Sequence, residues 1–141
     1  MRNVIAVLMG AAVAFALVSV GDAMAARLFA LPPGLDPRDP ATKGVIEAAI
    51  AKAPLSAILT MVAGYFVAAF GGAFIARKIA SSHGLRRAMT VGALVLVAVA
   101  LNFMALSHPT LMVVLGVLVP LPAAWLGGTL AGGRETTPTR A

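Results

Sequence analysis

Four long runs of this chain carry no charged side chain. They are VIAVLMGAAVAFALVSV from Val4, LSAILTMVAGYFVAAFGGAFIA from Leu55, AMTVGALVLVAVALNFMAL from Ala88 and LMVVLGVLVPLPAAWLGGTLA from Leu111. Each approaches or exceeds the roughly 20 apolar residues that a helix needs to cross a bilayer. The chain has 141 residues, 60% hydrophobic and 11% charged, whereas soluble domains carry about 25% charge. A soluble core of this size cannot hide so much apolar surface. The runs do not alternate in polarity as barrel strands do, and in lipid the remaining way to satisfy the backbone is a helix. The sequence therefore predicts an all-α membrane protein. It has a single membrane domain over 1–141, with spans at about 4–21, 55–76, 88–106 and 111–131. These are arranged as two helical hairpins. An outer loop covers 22–54, a turn 77–87 and a tail 132–141.

The first run has two readings. Arg2, the apolar stretch and Ala23-Met24-Ala25 resemble a secretory signal with a small-residue cleavage site. The apolar stretch is long for a signal core, which favours a retained first helix.

Basic residues give the orientation. With the N-terminus inside, Arg2, Arg77, Lys78, Arg86, Arg87, Arg134 and Arg140 lie on the inner side and Arg27, Arg38, Lys43 and Lys52 outside. The acids Asp22, Asp36, Asp39 and Glu47 fall outside and Glu135 inside, so the whole net charge of +6 lies on the inner face. Both termini are then cytoplasmic. Arg77, Lys78, Arg86 and Arg87 are candidates for contact with anionic lipid. The same turn lacks the aromatic groups that stack on bases, so nucleic acid is not an expected partner.

The second and fourth spans repeat one another. Small residues recur every four positions at Thr60, Gly64, Ala68, Gly72 and Ala76, and again at Gly116, Pro120, Ala124, Gly128 and Gly132. Residues four apart share a helix face, and small faces let membrane helices approach closely. Gly64, Ala68, Gly72, Ala76, Gly116, Ala124, Gly128 and Gly132 are thus the expected helix-packing residues. The first span has a shorter stripe, Ala6, Gly10 and Ala14, and the third has Ala88 and Gly92 before it breaks at Leu96. Pro120 and Pro122 remove backbone donors from the fourth span and predict a kink.

Between the first two spans lie Pro32, Pro33, Pro37 and Pro40, which rule out a regular helix there. A short amphipathic helix is expected over about 41–53. Thr42 or Asp39 caps it, Lys43 and Glu47 pair four residues apart, and Val45, Ile46, Ala49 and Ile50 form its apolar face. Polar residues near the bilayer are few, and such residues are functional candidates by default. Asp22 is expected at the outer end of the first span, Asn102 near the outer end of the third and His108 in the outer turn, where the three can converge. Tyr65 lies near the middle of the second span. The competing readings are a helix end for Asp22, an interhelical hydrogen bond for Asn102, and a turn for His108-Pro109 with proline opening the fourth span.

Several chemistries lack their groups. There is no cysteine, hence no disulfide, thiolate metal site or cysteine nucleophile. His83 and His108 bracket the third span, roughly 37 Å apart at 1.5 Å per residue, too far to share a metal or haem. The Gly71-Gly72 and Gly127-Gly128 pairs lack the Lys-Ser/Thr of a phosphate loop. No catalytic residue, metal site or cofactor is expected.

PPGLDPRDP at 32–40, the GG…A…R segment at 71–77, Asn102 ahead of His108-Pro109 and PAAWLGG at 122–128 resemble a group of small bacterial four-helix integral membrane proteins. The resemblance extends in order and spacing over most of the chain. It implies the topology given above and brings no activity or catalytic residue. Thr110-Leu111 stands where an aromatic often appears, so no outer aromatic contact is carried over.

The functional expectation is a non-enzymatic structural or accessory protein, associating through its small-residue faces with itself or a larger membrane complex. Its other expected partners are membrane lipids. The alternative is a small oligomeric transporter or channel. Because the chain has no cysteine, single-cysteine variants report its orientation cleanly. Ser82→Cys should react with a membrane-impermeant maleimide only after the membrane is opened, and Ala41→Cys without opening. The opposite labelling pattern would reverse the assignment.

Overall fold

The computed structural model describes residues 1–29, 33–35 and 39–132. Asp36, Arg38, Arg134, Glu135 and Arg140 lie outside the described residues, as do Pro32 and Pro37. The described residues form six helices and no strand: α1 (Arg2–Leu28), α2 (Pro40–Ile50), α3 (Leu55–Ile79), α4 (Gly84–Ala105), α5 (Thr110–Leu118) and α6 (Pro120–Gly132). Helices α1, α3 and α4, and the Thr110–Gly132 stretch formed by α5 and α6, are long and apolar enough to cross a membrane.

Helix α1 is longer than the expected span and ends at Leu28. The segment after Val20 (GDAMAARL) has no proline, and alanine, methionine, leucine and arginine are good helix formers. Asp22 therefore sits inside the helix, six residues before its end, and not at the terminus as expected. Helix α2 ends at Ile50, earlier than expected, and residues 51–52 turn toward Pro54. Of the two candidate caps, Asp39 is the N-cap: its carboxylate accepts from the Ala41 N–H at 2.9 Å, and Pro40 opens the helix. Pro54 and Pro109 are themselves the N-cap residues of α3 and α5.

The bundle is held by backbone approach at small residues. Helices α1 and α3 run antiparallel, with Gly10 against Gly72 and Gly21 against Gly64. A Cβ on Gly72 would lie 2.5 Å from the Gly10 carbonyl oxygen and 2.7 Å from the Ala14 Cβ. Ala68 and Ala76 are fully buried on the same helical face. Helices α4 and α6 also run antiparallel, with Gly92 against Ala124 and Ala88 against Gly128, and Gly116 of α5 receives the Phe103 ring. Helix α6 has a second small face, where Gly127 lies on the Phe70 backbone of α3. Helices α3 and α4 also pack on each other, α1 lies on one side of this pair and α6 on the other.

The remaining member of the expected packing set behaves differently. Gly132 meets the Arg77 guanidinium and not a helix backbone. Arg77 lies across Gly84 as well, so this side chain fills the space that both glycines leave. The proline pair interrupts hydrogen bonding more than direction. Val119, between α5 and α6, keeps helical angles (φ −75°, ψ −39°), and the Ala123 N–H still reaches the Val119 carbonyl at 3.1 Å. Pro120 is buried with its carbonyl near Gly92, whereas Pro122 is exposed.

The chain start is tied to the α3–α4 turn. Arg2 Nε donates to the Ile79 carbonyl at 3.0 Å, and the Asn3 side chain bonds Ser81 and Ser82. Overpacking a close helix contact costs about 1–3 kcal/mol. Gly72→Val should therefore lower the thermal midpoint of helix loss, followed by circular dichroism in detergent. Gly44→Ala, where a Cβ meets nothing within 4 Å, should leave it unchanged or raise it.

Candidate functional site

One half of the bundle, at the ends of α1, α3 and α4 away from Arg2 and the α3–α4 turn, contains a cavity of about 520 Å³. Its walls come from α1 (Phe15, Val18, Asp22), α3 (Ile58, Met61, Tyr65) and α4 (Val95, Val99, Asn102). Ile50 and Ala53 contribute from the α2 end, and His108 and Met112 from the α5 side. The three polar residues expected to converge, Asp22, Asn102 and His108, thus line one space, and Tyr65 joins them. Gly21 against Gly64 sets the residues that follow them, Asp22 and Tyr65, about 3 Å apart in depth, since the helices run in opposite directions. Asn102 and Asp22 are polar neighbours of the Tyr65 side chain. No arginine or lysine lines the cavity.

Aromatic contacts lie behind Tyr65 and His108. The Tyr65 and Phe103 rings meet edge to face at 6.5 Å, and Phe103 and His108 at 5.0 Å. The His108 Nδ1 lies 2.6 Å from the Leu106 carbonyl oxygen. A carbonyl can only accept, so Nδ1 carries the proton, and in the neutral ring Nε2 is left as an acceptor.

The cavity is open on one side. Helices α1 and α3 are in contact at both Gly10–Gly72 and Gly21–Gly64, so that seam is closed. The seam between α3 and α4 is closed by Tyr65 on Phe103. Helix α1 meets α4 near Gly10 and Val91, toward the other end of the bundle. Above that contact Phe15, Asp22 and Asn102 line the cavity and are themselves exposed, so the opening lies between α1 and α4.

The roof is fastened by one acid. The Glu47 carboxylate of α2 accepts from the Ser107 backbone N–H at 3.0 Å and lies 4.0 Å from Lys43 Nζ, the expected pairing. Ile46 is fully buried and Ile50 lines the cavity, but Val45, expected on the same face, is 53% exposed. The inward arc of α2 is centred on Ile46 and Ile50, and Val45 stands about 100° away from Ile46.

The basic residues divide. Lys78 and Arg86 are exposed, and Lys78 lies 5.6 Å from the Phe74 ring centre. Arg77 and Arg87 are half-buried, and Arg87 Nε has no hydrogen-bond partner among the described residues. No three metal-ligating side chains converge among the described residues. Comparison with protein families, with curated proteins and with solved structures finds no match to this chain. The resemblance noted in the sequence therefore rests on its short motifs alone.

The Ser107 N–H holds Glu47 below the usual carboxylate value of 4.5, with the Lys43 and His108 charges adding to the effect and desolvation opposing it. A depressed folded-state value means that the contact stabilises above the unfolded value and is lost as pH falls through the folded one. Backbone amide exchange over 40–50 should therefore rise as pH falls below 4.5, beyond the intrinsic pH dependence of exchange. Glu47→Gln should raise it at neutral pH and flatten that dependence. Identical protection in both proteins at all pH values would remove Glu47 as the fastener.

Proposed function

We propose that this chain is a small, non-enzymatic, multi-pass protein of a bacterial inner membrane whose outer-half cavity takes up an amphipathic small molecule from the surrounding leaflet. Both termini are cytoplasmic, and α1–α3 and α4–α5/α6 form two hairpins in parallel repeat. The observation that carries the binding role is the convergence of Asp22, Tyr65, Asn102 and His108 on one otherwise apolar space with a lateral opening. Ligand sites are mostly apolar concavities of about 300–1,000 Å³ with a few converging polar groups. This reading belongs with the small transporter, the alternative drawn from the sequence. The floor of the cavity lies above the Gly10–Gly72–Val91 contact, which supports a binding chamber and not an open channel in this conformation.

Association through the small-residue faces has less support. Gly64, Gly72, Ala124 and Gly128 face other helices of the same chain, so these faces are covered. A second reading, an accessory component of a larger complex, is supported by Trp125. This side chain is 55% exposed and lies seven residues before the end of α6, about 10 Å along the helix, deeper than the interfacial belt where tryptophan usually sits.

Native mass spectrometry of protein released from membranes in mild detergent tests the proposal. The spectrum should carry an adduct of a few hundred daltons, one per chain, that disappears in Ala98→Trp, where an indole fills the cavity from α4. An adduct pattern unchanged by Ala98→Trp would sink the chamber, and a stoichiometric protein partner lost in Trp125→Ala would favour the accessory reading.

A further inference from the structure

We infer that the molecule admitted to this cavity is a lipophilic cation, with Asp22 as its counter-charge; the inference rests on the binding role proposed above. Asp22 is the one carboxylate among the residues lining the cavity, and no arginine or lysine stands with it. It has no hydrogen bond or ion pair among the described residues, although Arg27 is on the same helix. Its place is settled by Gly21 against Gly64, nine residues along α3 from Leu55, or about 14 Å along the helix. At that depth an ionised carboxylate with no partner is costly, and intramembrane acids are paired or face a water-filled space. A cationic guest supplies the missing charge where the chain does not.

The rest of the lining suits the same guest. Phe15, Phe29 and Tyr65 border the space, and ring faces attract cations, more strongly where water is excluded. Tyr65 and Asn102 add oxygen acceptors beside the carboxylate. An anionic headgroup finds no arginine or lysine here and meets Asp22 repulsively. The opening between α1 and α4 faces the leaflet, so the guest arrives by partitioning into lipid and moving sideways. A strongly hydrated cation such as sodium does not partition this way, and the apolar walls do not replace its water.

Tetraphenylphosphonium and tetraphenylborate share one shape and carry opposite charges, which makes them suitable probes. The full chain is placed in nanodiscs of phosphatidylcholine, and binding of radiolabelled tetraphenylphosphonium is measured against empty nanodiscs. The expected result is saturable binding near one per chain, weakened about tenfold or more in Asp22→Asn, since removing one partner of a close charge pair usually has at least that effect. Asp22→Glu should restore most of it, which separates loss of charge from loss of fold. Tetraphenylborate should not compete.

Ala98→Trp should abolish binding of the cation. If Asp22→Asn binds as wild type, or tetraphenylborate competes equally, the cation assignment fails. If in that case Ala98→Trp still removes the bound probe, the chamber survives without it. If neither substitution matters, both readings fall together.

Discussion

The structure depends on glycine meeting glycine across α1 and α3. Lipid offers helices no hydrophobic reason to associate, so association rests on close packing of backbone and small side chains. Gly10 and Gly72 supply that contact near one end of the pair and Gly21 and Gly64 near the other. Two contacts so far apart fix both the distance and the register of the helices. Register is what places Asp22 within one helical turn of Tyr65, so the composition of the polar cluster follows from glycine positions that have no chemistry of their own.

A different size pattern on α4 makes the cavity. Its small residues are confined to one end, at Ala88 and Gly92, where Gly128 and Ala124 come close. The stripe then breaks, and Val95, Val99 and Asn102 take over on the side that faces the space. Helix α1 keeps its small face through Gly21 and Ala25, but uses it on α3. It therefore stays with α3 while it parts from α4. The cavity is what remains where α1 has one partner and not two. Phe103 turns away from this space to fill Gly116, which holds the α4–α5 side shut while the α1–α4 side opens.

Much of the fold was legible because its causes are local. Span positions follow from charge-free runs, and the start of α2 follows from Asp39 and Pro40. The small faces follow from a four-residue period, which names the face but not the partner. Nothing in the sequence said that Gly132 would meet Arg77, because that contact depends on where a long side chain comes to rest. The convergence of Asp22, Asn102 and His108 could be named from their common side of the membrane. The apolar lining could not, since Phe15, Ile58 and Val95 resemble every other apolar residue in the spans until helix register is known. Asp22 as a helix end was the costly misreading: an acid suggests a boundary, but the alanine-rich segment after it has no reason to leave the helix.

The position of Asp22 inside α1 bears on the chemistry of the site. An acid at a helix end is solvated by the interface and needs no explanation. An acid six residues inside the helix, exposed at the mouth of a cavity, faces the space that the cavity encloses. Helix α2 lies over this end of the cavity, with Ile46 buried and Glu47 fastened to the Ser107 amide. The two carboxylates on this side of the bundle thus have opposite circumstances. Glu47 is satisfied by the backbone and by Lys43, and serves the fold. Asp22 has no such partner among the described residues, and its charge is available to a guest. Fold stability and the proposed guest binding thus call on different acids, Glu47 and Asp22.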